Sequence, residues 1–439
     1  MTLTLLFGIG LRYVSELSNY EVLAFSFSLF TFLNLFIEFG NSIALRELMG
    51  FVASLQLLLS TALEFVYQPE EMPLPSDEYF SYALPAVVAY YTGLFLPIFK
   101  TQEHVLLLSK AKTHLIGKDN ISTILLVIGI VGAIVYQYVP IQIKAIVYLF
   151  SICLYASVMY GHYLSGKIKR ITLSVAFALL VYTTIKEGAF GHLIFWTTLY
   201  FIIAFTGTDR GKSLQLKSFI VLAGIVFIVI VQSVKMDYRL GTWGNKITER
   251  RADPELLMQL VKQRIDDPSY LLSREHFLSV AHRFNQGNLV ALAQSYVPRV
   301  EPYADGEILF HFVYPIIPRL FWNEKPITGG VANITRFTPL IHSGTSSSNI
   351  SPFGEAYANF GIVGGIVFMF IFGLLFNYCF SKILRISENK PSLLLWLPCL
   401  FSGCLTVETD VLSMWGSFIS TSIFIAVFWF ALKRLNINL

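Results

Sequence analysis

The chain has 439 residues, 55% of them hydrophobic and only 14% charged, with a formal net charge of +4. A water-soluble chain of this length divides into two or three cores and coats them with charge, about a quarter of its residues; this composition excludes that. Mean hydropathy is +0.62, and apolar runs of roughly 20 residues recur, each long enough to cross a hydrocarbon layer of about 30 Å, so the bilayer is the expected solvent.

The N-terminus lacks a basic n-region and Arg12 interrupts its apolar stretch, so it does not read as a secretory signal. Eleven spans are predicted, at 22–38, 43–66, 80–99, 120–138, 142–160, 171–186, 191–206, 217–235, 353–381, 391–409 and 412–432. The opening segment, Thr2 to Leu17, is either a twelfth span or a surface helix. The expected fold is therefore all-α. It divides into N-terminal membrane helices (1–235), one large and mainly helical external loop (236–352) and C-terminal membrane helices (353–439).

Lys and Arg in short loops set the orientation. Loops 100–119, 161–170, 207–217 and 382–390 are basic, and the tail adds Lys433 and Arg434; loop 67–79 has four acids and no base. The basic side is read as cytoplasmic, which places the large loop in the periplasm or outside the cell. That loop carries twelve bases and eleven acids, the balance of a folded element and not of a basic tail. All four cysteines (Cys153, Cys379, Cys399, Cys404) lie in or beside apolar runs, so no disulfide is expected in the loop.

Within the loop, Asp253-Pro254 predicts a capped helix start, with Leu256, Leu257, Leu260, Val261 and Ile265 on one face and Asp266-Asp267-Pro268 as its stop. A second helix is predicted from Ser269 to Phe284, a third from Asn288 to Tyr296, and a fourth, capped by Asp305, that carries Glu307, His311 and Tyr314 to Pro315. The densest stretch follows: Pro318-Arg319-Leu320-Phe321-Trp322-Asn323-Glu324-Lys325-Pro326. A Gly/Ser/Thr-rich segment with Arg336 and His342 then leads to Ser351-Pro352-Phe353-Gly354-Glu355-Ala356-Tyr357-Ala358-Asn359-Phe360-Gly361 at the head of a span. A carboxylate and an asparagine there are costly in lipid. Four apart, Glu355 and Asn359 share a helix face, which should look into protein or water.

These residues carry a resemblance. Pro318-Arg319 with Trp322 and Lys325-Pro326, then Gly354-Glu355-Ala356-Tyr357 with Asn359-Phe360-Gly361, together with one large external loop before the last spans, resemble the O-antigen polymerase family (Wzy-type) and related oligosaccharide repeat-unit polymerases. The local likeness covers about 80 residues, from Arg283 to Gly365; elsewhere only the hydropathy agrees. The resemblance implies a membrane glycosyltransferase in a bacterial inner membrane. It would move a growing glycan from undecaprenyl pyrophosphate to a newly delivered lipid-linked unit, with no cofactor. A chain-length regulator and a flippase are the implied protein partners.

Such a transfer needs cations for the leaving pyrophosphate, a proton acceptor and a sugar platform. Arginine binds phosphate oxygens bidentately and keeps its charge, which nominates Arg283, Arg319 and Arg336, with Lys325 as a point charge. Glu355 is the first choice for the acceptor hydroxyl's proton, beside Glu307, Asp305, His311 and His342. Trp322 and Phe321 can stack on a sugar or anchor at the interface, and Asn359 can contact substrate. Each has a plainer alternative: a surface-helix arginine, a snorkelling anchor, a turn lysine, a helix N-terminal carboxylate, a solvated histidine. Glu408 and Asp410 fall at the outer turn between the last two spans and either line the same cavity or cap helix ends. No His/Cys set has zinc spacing, Glu70-Glu71 alone makes no chelate, and no P-loop supports ATP-driven transport. A ligase of finished glycans and a flippase of lipid-linked sugars are the rival readings. Nothing suggests nucleic acid.

Overall fold

The computed structural model describes residues 2–164, 166–243, 250–317, 322, 330–340 and 348–437. Among these, all regular structure is helical apart from one isolated bridge between Phe39 and Ser42. Six helices are long and apolar enough to cross a membrane: Asn19–Glu38, Leu45–Tyr67, Ile143–Tyr163, Leu214–Thr242, Ser351–Ser387 and Val411–Arg434.

The opening helix α1 (Thr2–Val14) has 13 residues, about 20 Å at 1.5 Å per residue, which is too short to cross; it leaves most of its leucines exposed. Next, α2 (Asn19–Glu38) starts at a reciprocal cap in which Ser18 and Glu21 exchange side-chain and backbone bonds. The third helix, α3 (Leu45–Tyr67), contains a π-helical turn at Leu55–Leu59. Then come α4 (Ser76–Phe95), α5 (His104–His114), α6 (Asp119–Val135), α7 (Ile143–Tyr163), α8 (Gly166–Glu187), α9 (Gly191–Phe205) and α10 (Leu214–Thr242). Two glycines make the tightest helix pair: a Cβ on Gly93 of α4 would overlap the Phe370 carbonyl, and one on Gly373 the Tyr90 carbonyl. Small residues allow this close approach where lipid supplies no hydrophobic drive between helices.

Of the six long apolar helices, α10 is the least buried, only at Lys217, Ser233, Val234, Tyr238 and Thr242. Lys217 Nζ donates to the carbonyls of Phe36 and Ile37 at 2.9 and 3.1 Å, a cation at the C-terminus of α2. The middle of α10 is left open to its surroundings.

The large loop supplies α11 (Pro254–Asp266), α12 (Arg274–Phe284), α13 (Gly287–Tyr296) and α14 (Val331–Phe337). Asp253 accepts from the Leu256 N–H, as a cap should. The second loop helix begins at Arg274 and not at Ser269, because Ser273 caps it by accepting from the His276 N–H. The fourth expected helix is instead a pair of 3-10 turns, Glu307–Phe312 and Tyr314–Ile316. Asp305 does not cap it: Asp305 and Gly306 both take positive φ, 44° and 91°, and Pro315 prevents extension.

Two expected spans are not continuous helices. The long helix α15 (Ser351–Ser387) breaks at Gly361, whose φ of 67° and ψ of −164° are non-helical. Its first part, up to Asn359, is buried inside protein, so the continuous span begins only after the break. The span expected at 391–409 is a series of short helical pieces, Pro391–Trp396, Leu397–Phe401 and Ser402–Cys404; Pro398 lacks the N–H group a continuous ladder needs. The last helix is α16 (Val411–Arg434).

Candidate functional site

Glu355 sits on the short helix before the Gly361 break, where packing leaves it 1% exposed. Its Oε2 accepts from the Val411 N–H at 2.7 Å, and its Oε1 accepts from Asn333 Nδ2. The first of these donors is the opening N–H of α16, so the positive end of that helix faces the carboxylate. A buried carboxylate needs such donors. With both oxygens engaged, Glu355 lies beside one titratable neighbour.

That neighbour is His311. Its Nδ1 lies 3.8 Å from Glu355 Oε1, and its side chain is 23% exposed. Nδ1 has no hydrogen-bond partner among the described residues, and 3.8 Å is too long for one. Burial pulls the imidazole pKa below its ordinary 6.5, against the raising effect of Asp410 and Glu307. The ring is therefore neutral near neutral pH and able to accept a proton.

Asn359 does not reach outward. Its Oδ1 accepts from the Ile308 N–H at 3.1 Å, and its Nδ2 donates to the Glu355 carbonyl at 2.9 Å. It fastens the 3-10 turn that carries His311 to the helix that carries Glu355. A cavity of about 350 Å³ opens beside it, lined by Tyr303, Asp305, Asn359 and Phe360. Asp410 caps α16 by accepting from the Ser413 N–H and also accepts from Asn349 Nδ2 at 2.9 Å.

A second, basic group lies at the other end of the turn Leu405–Asp410. Arg283 binds Glu408 through two parallel bonds of 3.2 and 3.1 Å. Gln56, on the π-helical turn of α3, donates to Glu408 Oε1 at 2.7 Å and accepts from the Val407 N–H at 3.0 Å. The wider turn aims that side chain at the loop, a common use of π turns. Lys235 and Arg239, on the last turns of α10, share the electrostatic field of Arg283. Lys235 has no hydrogen bond or ion pair among the described residues. Arg239 and Arg250 both lie over the Trp243 ring, 4.4 and 4.0 Å from its centre. One residue, Thr409, separates Glu408 from Asp410, at most about 7 Å of backbone between them, so one short turn joins a basic group to a carboxylate–imidazole group.

Arg336 is committed to carboxylates of the loop. It binds Glu301 at 2.9 Å and Glu307 at 2.7 Å, and these acids push its pKa further up. It braces the loop, and an anion would have to displace two carboxylates. Trp322 meets Tyr314 edge-on at 5.4 Å, and Tyr314 lies 5.9 Å from the His311 ring, which puts an aromatic pair beside the imidazole. Arg319, Phe321, Lys325 and His342 lie outside the described residues. Sequence reasoning missed Asn333, Lys235 and Arg239. The two bases had a signal, cations in the last turns of a span; Asn333 had none beyond its Asn-x-Thr triplet.

No group of three or more His, Cys, Asp or Glu side chains that could hold a metal occurs among the described residues. The chain belongs to the family described as a domain of unknown function, DUF8712, whose model matches residues 77–386. That stretch includes His311, Glu355 and the basic group up to Arg283, and stops before α16. No curated protein and no solved structure matches the chain.

Proposed function

We propose that this protein is an integral-membrane glycan transferase that joins undecaprenyl-pyrophosphate-linked oligosaccharide units into a polymer on the large-loop side of a bacterial inner membrane. The observation that carries the reading is the turn Leu405–Asp410, which joins Lys235, Arg239 and Arg283 on one side to His311 and Glu355 on the other. A pyrophosphate leaving group calls for the first set and an acceptor hydroxyl for the second.

In the reaction proposed, the acceptor hydroxyl oxygen attacks the anomeric carbon of the donor glycan. The bond from that carbon to the pyrophosphate oxygen breaks, and polyprenyl pyrophosphate leaves with the electron pair. The hydroxyl proton passes to the free imidazole nitrogen of His311, Nε2. Glu355 faces the other ring nitrogen, Nδ1, at 3.8 Å; it does not touch the substrate. Arg283, Lys235 and Arg239 neutralise the leaving group, and Arg283 gives up part of its hold on Glu408 when phosphate arrives. The open flank of α10 gives a lipid tail lateral access beside these bases. Trp322 and Tyr314 offer a stacking face for sugar.

The wider reading of eleven crossings, with the basic short loops in the cytoplasm and the large loop in the periplasm or outside the cell, belongs to this proposal. So do a flippase and a chain-length regulator as neighbours in the pathway. A second reading, movement of lipid-linked sugars across the bilayer, draws on the broken helix at Gly361, since transporters place ligands at such breaks. Here the break flanks a buried short helix at the loop end of the span, with its polar side chains on the loop side, which favours chemistry at one face.

The test is removal of the gene from its native host, followed by gel separation of lipid-linked and surface glycans. Loss of the polymer ladder with single capped units left over supports the polymerase. An intact ladder retained on its lipid carrier would mean a ligase, and units trapped on the cytoplasmic leaflet a flippase.

A further inference from the structure

The two 3-10 turns of Glu307–Ile316 pack unusually low on the helices beside them. Phe312 inserts its ring between Phe368, Phe372 and Trp415, with centroids 6.2, 6.1 and 5.8 Å away. Pro315 sits against Gly416, 3.5 Å from where a Cβ would be. Phe368 and Phe372 lie seven and eleven residues beyond the Gly361 break, about 10 and 16 Å along the helix. Trp415 is four residues into α16, about 6 Å. The continuous part of α15 after the break, up to Ser387, is about 39 Å long, so it overhangs a 30 Å core by roughly 5 Å at each end. Phe312 is thus at the depth of the hydrocarbon, not of the headgroups.

At that depth the segment turns an apolar face outward. Leu309, Phe310, Val313 and Ile316 are each more than half exposed, at 55, 61, 52 and 56%. One position round the helix from Phe368 and Phe372, α15 exposes Val367 and Ile371, so the face continues the apolar surface of a membrane span. Backbone in lipid must satisfy its own polar groups, and several of this segment's are paired. Leu309, Val313 and Ile316 donate to the carbonyls three residues back. The Ile308 N–H goes to Asn359 Oδ1, and the Phe312 carbonyl accepts from Trp415 Nε1 at 3.1 Å. The segment's first residue, Glu307, is paired with Arg336.

We propose that Glu307–Ile317 is inserted into the bilayer, in the leaflet on the side of the large loop, with Leu309, Phe310, Val313 and Ile316 against acyl chains. The partner is the lipid itself. The inference needs only that the long apolar helices span a bilayer, and it stands or falls separately from the transfer reaction. It places His311, on the inward side of the same turns, at the boundary where a lipid-borne group and a water-borne group can meet.

The test uses the full chain in nanodiscs. Cys379 is replaced by Ser; Cys153, Cys399 and Cys404 are buried and out of reach of the label. A nitroxide is attached in turn to V313C, I316C, V367C and M258C, and collision rates with oxygen and with a water-soluble nickel chelate are compared. The expected result is that V313C and I316C favour oxygen to the same degree as V367C. A preference for nickel equal to that of M258C, on the exposed α11, overturns the proposal, and so does low access to both reagents, which would mean a protein cover. Should those variants fail to fold, the unmodified protein is photolysed with a diazirine phospholipid. Acyl adducts on the 307–317 peptide support insertion, and adducts confined to the spanning helices refute it.

Discussion

His311 Nδ1 faces Glu355 Oε1 across 3.8 Å, and the two residues reach that position from different parts of the chain by way of Asn359. The carboxylate is held by the first N–H of α16 and by Asn333; the imidazole Nδ1 has no hydrogen-bond partner among the described residues. The roles this implies are unequal. Replacing His311 by Ala should lower transfer by about 100-fold or more, within the range for loss of a general base. Glu355→Gln keeps the Val411 contact and should cost about 10-fold. Transfer assays on purified protein with lipid-linked donor check the ranking, and a Glu355→Gln loss exceeding that of His311→Ala would return the proton to Glu355.

The pH profile follows from the same geometry. Burial lowers the His311 pKa below 6.5, so the neutral form persists down to that pH, and the acid limb of kcat/KM should fall below 6.5. Asp410 and Glu307 raise the imidazole pKa, so Glu307→Gln should move the limb further toward acid. A shift toward alkaline pH would contradict the assignment.

His282 titrates in the opposite direction. Its Nδ1 contacts Glu64 Oε1 at 2.8 Å, and that bond raises its pKa above the ordinary 6.5. A raised folded pKa contributes stability that is complete below the unfolded value and is lost as pH rises through the folded one. The docking of α12 on α3 should therefore loosen as pH climbs past that raised value. Hydrogen exchange of the 274–284 peptide reads this directly; the His282→Gln variant should show no such step.

Arg283 separates structure from activity. The Arg283–Glu408 pair is partly exposed on both sides, at 40 and 28%, so its coupling in a double-mutant cycle should be about 1 kcal/mol or less. Transfer should fall by about 100-fold in Arg283→Ala and less in Arg283→Lys, which keeps the charge and loses the fork. Equal, small effects on stability and activity would make Arg283 a brace only.

Gly361 holds a backbone conformation that only glycine adopts without strain, and a Cβ there would also come 3.2 Å from Tyr303 Oη. Gly361→Ala should destabilise the protein by about 1–3 kcal/mol, seen as a lower thermal midpoint in detergent. An unchanged midpoint would mean that the break tolerates a side chain.

Much of the architecture follows from local pattern. Lipid demands long apolar helices, and runs such as 217–235 and 412–432 reveal themselves by composition. The cap at Asp253 and the stop at Asp267 are readable because a cap is a bond between near neighbours. Pattern failed where continuity of hydropathy hid broken backbone. The run 391–409 is apolar throughout yet forms short turns, and 353–381 continues in hydropathy across Gly361. Both proline and glycine were visible; what they do depends on whether neighbouring helices satisfy the freed backbone groups.

The sequence by itself determined a helical chain with long apolar runs and polar, charged residues gathered in one large loop. Only the tertiary structure decided which polar residues are spoken for. Arg336 and Arg283 read alike along the chain, as do Glu355 and Glu408, but a charge acquires its role from the partners that burial forces upon it. Those partners are remote: Glu355 answers to Val411, Asn333 to Glu355, and Gln56 to Glu408. The cost of leaving a buried polar group unmatched grows as water is removed, so the fold pairs such groups across hundreds of residues, where no local pattern records the match.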